Sequence, residues 1–139
     1  MKHLVFVCAV ATLAHAMPAS AQKPATPNET SPDALKEKLE NGERILVIDV
    51  RSNGELNTAS IPGAIHIPMA QLTARVKDVP KDVQLVFISN RGGRSSRAAK
   101  LFNKRGYPTA TFCALNDWKA MGYETESVKE AAPGAIKPR

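Results

Sequence analysis

The hydrophobic residues of this chain fall into short continuous runs of strand length. Residues 45–50 (Ile-Leu-Val-Ile-Asp-Val) and residues 83–88 (Val-Gln-Leu-Val-Phe-Ile) are almost uninterrupted apolar and β-branched segments. Such runs are typical of strands that are covered on both faces in a parallel sheet. Residues 109–112 (Thr-Ala-Thr-Phe) predict a third strand.

Amphipathic segments alternate with these strands. The Ser-Pro-Asp segment at residues 31–33 supplies an N-cap, a proline at the first helical position and an acidic first turn, which predicts a short helix that ends before Asn41. A second helix has its apolar face at residues 98–102 and ends at Gly106, and a short third helix is predicted over residues 117–121. The pattern predicts an α/β fold of three layers, in which a mostly parallel sheet carries helices on both faces.

The two ends of the chain differ in composition from the middle. Residues 1–21 combine a charged start, a short apolar run and a final Ala-Ser-Ala, which is the order of a secretory signal peptide. We therefore expect cleavage after Ala21, a periplasmic or secreted protein, and no membrane association once the signal is removed. Residues 22–30 are predicted to be a disordered leader and residues 127–139 a flexible tail, which leaves residues 31–126 as the single domain.

Charge and composition exclude several classes of protein. The net charge is +6, but the basic residues are dispersed along the sequence and only 5% of the residues are aromatic, which argues against nucleic-acid binding. After residue 21, Cys113 is the single cysteine and His66 the single histidine, so no disulfide, metal site or cofactor is expected.

The candidate chemistry lies in the loop that follows the second predicted strand. In α/β folds, ligands bind beyond the carboxyl ends of the strands. The two glycines permit a tight turn whose N–H groups point inward, and the following helix adds the positive end of its dipole. The loop is therefore predicted to bind an anion. Its residues are Ser89, Asn90, Arg91, Gly92, Gly93, Arg94 and Ser95.

Several segments along the chain together resemble the signature segments of the rhodanese family, in the same order. They are IDVR at residues 48–51, Glu55, IPGAIHIP at residues 61–68, GGRS at residues 92–95 and WKAMGY at residues 118–123. The resemblance covers residues 31–126 and implies a rhodanese-like fold. Members of that family take the sulfane sulfur of thiosulfate or a persulfide onto a cysteine and pass it to cyanide or a thiol.

The resemblance also implies what the loop does. The family pattern Cys-x-x-Gly-x-Arg-Ser places Ser89 at the position of the catalytic cysteine, and the loop has the length found in the sulfurtransferases rather than the longer one of the related cell-cycle phosphatases. Serine forms no stable persulfide, and its hydroxyl needs a general base, which the sequence does not supply. We therefore expect a catalytically inactive protein that binds a small oxyanion, a sulfur-carrying molecule or a modified group on an envelope protein.

Two further expectations concern the surroundings of the loop. Cys113 follows the third predicted strand, and a sulfurtransferase that uses Cys113 as a relocated thiol is the alternative function; a buried packing role is the other interpretation. Arg51 and Glu55 are expected to form an ion pair across the turn after the first strand.

Overall fold

The computed structural model describes residues 28–130 and residue 136. The predicted signal peptide and residues 22–27 of the predicted leader lie outside the described residues. The secondary-structure elements, in chain order, are α1 (Pro32–Glu40), β1 (Ile45–Asp49), β2 (Ile65–His66), α2 (Met69–Leu72), β3 (Gln84–Ser89), α3 (Gly93–Lys104), β4 (Thr111–Ala114), α4 (Leu115–Ala120) and β5 (Lys129–Glu130), with 3-10 turns at Asn53–Glu55 and Val76–Asp78.

The strands form one sheet in the order β4-β3-β1-β2-β5, and every neighbouring pair is parallel. β1 lies at the centre with all five residues buried, as its continuous apolar sequence predicts. Helices cover both faces of the sheet. The predicted α/β fold is therefore confirmed.

Two hydrophobic clusters hold the helices to the sheet. On one face, Phe87 of β3 packs with Ala98 and Phe102 of α3, and the rings of Phe87 and Phe102 lie 4.8 Å apart. On the other face, Leu35 of α1 and Trp118 of α4 are in a second cluster. Successive side chains of β3 thus point to opposite faces of the sheet. The position of a residue along β3 determines whether its side chain faces α3 or faces α1 and α4.

The ends of the described chain contact the sheet at positions within the predicted leader and tail, and residues 131–135 and 137–139 of the predicted tail lie outside the described residues. Asn28 accepts a hydrogen bond from Phe112 N and Thr30 donates one to Phe112 O, so residues 28–30 line the outer edge of β4. β5 pairs with β2, and Ile136 is buried in the cluster beside α3. A two-residue strand carries no recognisable periodicity, so the sequence gives no sign that the chain returns to the sheet here.

The described helices are short. α3 is twelve residues long, and within the described residues no helix is long and apolar enough to cross a membrane.

Candidate functional site

The loop between β3 and α3 is shaped by a glycine with left-handed backbone geometry. Gly92 has a φ of +82°, which glycine adopts without strain, and its carbonyl accepts hydrogen bonds from Ser96 N at 2.8 Å and Ser95 Oγ at 3.1 Å. A Cβ atom at this position would lie 3.1 Å from Cε2 of Phe112, so the loop also packs closely on β4. Gly92 is therefore required for both the turn and the packing.

Ser89 ends β3 with its hydroxyl turned toward α3. Its Oγ accepts a hydrogen bond from Ser95 N at 3.1 Å and lies 2.9 Å from Ser95 Oγ. Because the Ser95 hydroxyl proton is donated to the Gly92 carbonyl, the proton between the two hydroxyls comes from Ser89. Ser89 is 1% exposed, and its hydroxyl donates to another hydroxyl and not to a basic group.

A cleft of about 430 Å³ opens in front of this loop. Its walls include Asn90, Arg91, Gly93 and Arg94 from the predicted loop, together with Arg97 and Asn116. Within the described residues, the backbone N–H groups of residues 91–94 have no protein acceptor. These donors, at the first turn of a twelve-residue helix, create a positive potential that favours an anion.

Arg94 does not point its charge freely into the cleft, because its guanidinium is bound to Glu55. The Nη1 and Nη2 atoms each lie 2.6 Å from one Glu55 oxygen, and Asn90 Nδ2 donates to Glu55 Oε1 at 3.0 Å. Ser52 adds hydrogen bonds from its backbone N and its hydroxyl. The bonds from Arg94, followed by those from Ser52, hold the pKa of Glu55 well below its usual range, and the same pair raises the pKa of Arg94.

The prediction of an ion pair between Arg51 and Glu55 is wrong. Arg51 is 0% exposed and pairs with Asp49, with its Nη2 2.8 Å from Asp49 Oδ2 and its Nε 3.0 and 2.9 Å from the two oxygens. Its other Nη atom donates to Thr58 Oγ1 at 2.6 Å. Removal of either buried charge would leave the other uncompensated, so this pair fixes the turn that carries Glu55 beneath the loop.

The structure shows which loop residues lie together and which neighbours the sequence did not reveal. Arg91 is exposed at the apex of the loop. This exposure is compatible with a solvated arginine and with one that binds a ligand. Arg97 and Asn116 were not predicted as part of the site. Arg97 could have been found from the sequence, because it follows Arg94 by three residues and so lies on the same side of the helix. Asn116 could not, because it reaches the cleft through its backbone hydrogen bond to the Asn90 carbonyl.

Cys113 does not lie beside the loop, contrary to the expectation for a relocated thiol. In the β3–β4 register it aligns with Ile88, whereas Ser89 aligns with Ala114. Cys113 is 0% exposed and packs in the cluster that holds α1 and α4, on the face of the sheet opposite to the Ser89 hydroxyl. The packing interpretation of Cys113 agrees with this position.

His66 is buried next to the Arg51 backbone. Its Nε2 lies 2.8 Å from the Arg51 carbonyl oxygen and therefore donates to it, while Nδ1 has no partner among the described residues. Its hydrogen bond is thus made to the backbone and not to Ser89. In the part of the chain that the structure describes, no group of three or more His, Cys, Asp or Glu residues could hold a metal ion.

A parallel sheet with helices on both faces defines the class: an α/β domain that carries a glycine-containing loop at the carboxyl end of a strand, where ligands bind in such folds. Comparison with known proteins identifies the family. Residues 31–121 match the rhodanese-like domain, and the chain belongs to this family.

Relatives of the chain include proteins named for sulfur transfer. It is 38% identical over 81 residues to the putative sulfurtransferase YtwF of Bacillus subtilis, covering 58% of this chain and 79% of that protein. It is 31% identical over 80 residues to a sulfurtransferase of Allochromatium vinosum, covering 58% and 75%. Among solved structures, the human single-domain sulfurtransferase TSTD1 is 28% identical with a TM-score of 0.60, covering 67% of this chain and 96% of that one. A rhodanese-related protein of Thermoplasma volcanium is 25% identical with a TM-score of 0.65, covering 71% and 97%.

Proposed function

We propose that this protein is a secreted, catalytically inactive rhodanese-like protein that binds an oxyanion or a sulfur-containing group in the loop of residues 89–95. The observation that carries the proposal is the environment of Ser89. This serine stands at the first position of the loop, where the family pattern has its cysteine, and its hydroxyl is hydrogen-bonded to Ser95 through both its proton and a lone pair.

The chemistry of oxygen explains why the loop would not transfer sulfur. In the family reaction, a cysteine thiolate attacks the outer sulfur of thiosulfate, a new S–S bond forms, the old S–S bond breaks and sulfite leaves with the electron pair. A thiol has a reference pKa of about 8.5, which a helix N-terminus readily lowers, whereas a serine hydroxyl requires an adjacent base to become a nucleophile. The hydrogen-bond partners of Ser89 contain no base. The O–S linkage that would replace the persulfide is also not a stable carrier of sulfur.

The surroundings of Ser89 nevertheless favour an anion. The N–H groups of residues 91–94 face no protein acceptor in the described chain, and Arg91 and Arg97 are exposed at the cleft. Glu55 neutralises Arg94, so the cations that remain for a ligand are Arg91 and Arg97. We assign Arg94 the role of fixing the loop through Glu55, and the backbone donors with Arg97 the role of binding.

Sulfur transfer through Cys113 receives less support. Its side chain is buried on the opposite face of the sheet, and the sulfur of thiosulfate in the cleft would have to cross β3 and β4 to reach it. The names of the relatives support sulfur-containing ligands, and for this chain we propose binding without turnover.

Binding is tested by titration of thiosulfate and sulfate into the purified protein, followed by calorimetry and by the backbone amide NMR shifts of residues 89–96. The expected result is saturable binding whose largest shifts are at residues 91–94. Absence of heat and of shifts at high thiosulfate concentration would contradict the binding function.

The secreted location is a separate proposal that is supported by the signal-like sequence of residues 1–21. The intact mass of the protein from the cell envelope should correspond to a chain that begins at Gln22. A mass that includes residues 1–21 would contradict the proposal.

A further inference from the structure

The outward face of α3 is basic along its whole length. Arg97, Lys100 and Lys104 are exposed and lie on one side of the helix, because their spacing of three and four residues brings each about one turn further along. α3 contains no acidic residue. Like charges at this spacing repel one another and destabilise an isolated helix, so this face of α3 is not arranged for helix stability.

Some of the basic residues in the described chain are already engaged in ion pairs, and the three on the outward face of α3 are not among them. Ion pairs within residues 28–130 hold Lys36, Lys38, Arg44, Arg51, Arg75 and Arg94. In the same part of the chain, Arg97, Lys100 and Lys104 have no carboxylate within 4.0 Å. Their charge is thus available to a partner.

The basic face is continuous with the cleft. Arg97 lines the cleft beside the loop, and Lys104 follows it by seven residues, which is about 10 Å along the helix axis. A ligand whose anionic end enters the cleft would therefore extend directly over Lys100 and Lys104. A small free anion would contact the cleft alone and leave those two lysines without a partner.

We propose that α3 is a docking surface for an acidic polypeptide, and that this polypeptide presents its anionic or sulfur-carrying group to the loop of residues 89–95. The inference rests on the proposed function, whose ligand it narrows from a free anion to a group carried by an acidic protein. The α3 lysines provide electrostatic attraction that guides and orients the partner, and the cleft provides recognition of the group itself.

The composition of the surface favours a polypeptide over other polyanions. The large hydrophobic residue that is exposed among the described residues is Met121, which follows α4 on the other side of the sheet, so the α3 face has no apolar anchor for a lipid surface. The described aromatic side chains are buried or half-buried, which leaves none on α3 to stack on nucleic-acid bases.

A synthetic peptide that joins a run of glutamates to a terminal S-sulfocysteine tests the proposal, with fluorescence anisotropy as the readout. Lys100→Gln combined with Lys104→Gln should weaken the binding of this peptide about three- to tenfold, because each exposed ion pair contributes modestly. The binding of thiosulfate should stay unchanged in this variant, and thiosulfate should compete with the peptide.

A matched control removes two charges elsewhere. Arg44→Gln combined with Lys119→Gln lowers the net charge by the same amount but lies away from α3, and it should leave peptide binding unchanged. Equal weakening by both double variants would show an effect of net charge and would overturn the docking surface. Binding of the protein to phosphatidylglycerol vesicles or to duplex DNA in place of the peptide would overturn it as well. If thiosulfate binds the protein and the peptide does not, this inference fails and the proposed function stands; if neither binds, both fail.

Discussion

Replacement of Gly92 by alanine tests whether the loop owes its shape to this one residue. Alanine at this position destabilises the folded state in two ways, through backbone strain and through steric contact. A φ of +82° is unfavourable for alanine by about 1–2 kcal/mol, and the new Cβ would lie 3.1 Å from Cε2 and 3.5 Å from Cδ2 of buried Phe112. Overpacking of this kind costs about 1–3 kcal/mol. Gly92→Ala should therefore lower the free energy of unfolding by about 2–5 kcal/mol.

Gly42→Ala is the matched control for the backbone cost alone. Gly42 also has a positive φ, +69°, but a Cβ there would meet nothing within 4 Å. Its replacement should cost about 1 kcal/mol, because alanine also reduces the entropy of the unfolded chain. Urea unfolding can be followed through Trp118, the one tryptophan of the chain, which is 2% exposed in the folded state. Equal destabilisation by the two variants would refute the close contact of the loop with Phe112, and unchanged thiosulfate binding by folded Gly92→Ala would refute the need for this turn in the site.

Three further predictions follow from the site. The pKa of Glu55 is lowered in the folded protein, so the stability that Glu55 contributes is present above its unfolded pKa of about 4.3 and is lost as the pH falls below that value. The difference in unfolding free energy between the wild type and Glu55→Gln should therefore be largest near neutral pH and shrink in acid. A difference that stays constant with pH would contradict the ion pair with Arg94. Arg97→Gln should weaken thiosulfate binding several-fold whereas Lys119→Gln should not, and calorimetry that shows equal affinities for both variants would remove Arg97 from the site. Cys113 should resist a water-soluble thiol reagent in the folded protein and react in urea, and rapid labelling of the native state would contradict its burial.

The sequence predicts the elements whose signal is local. The runs at β1 and β3 are recognisable because both faces of these strands are buried, and the loop is recognisable because consecutive glycines join a strand to a helix. β4 was predicted at residues 109–112 and lies at Thr111–Ala114, since an edge strand of mixed polarity has poorly marked ends.

Contacts between distant segments were not predictable in the same way. Glu55 could pair with Arg51 or with Arg94 as far as the sequence shows, and the choice depends on the buried Asp49 that engages Arg51 first. The position of Cys113 depends on the register of β4 against β3, because a shift of one residue would move its side chain to the face of the Ser89 hydroxyl. Neither the ion-pair partner of Glu55 nor the register of β4 can be predicted from local sequence patterns.

We propose that the loop of residues 89–95 binds an anion and lacks the nucleophile for sulfur transfer. The most direct measurement is thiosulfate:cyanide sulfurtransferase activity of the wild type and of Ser89→Cys, each in a Cys113→Ala background. A cysteine at position 89 would receive the Ser95 N–H bond and the field of the α3 N-terminus, which together favour a thiolate. Under this proposal, we expect no turnover by the wild type and measurable turnover by Ser89→Cys, with Ser89→Ala inactive as the control. Robust turnover by the wild type in the Cys113→Ala background would contradict it, and so would an inactive Ser89→Cys that still binds thiosulfate.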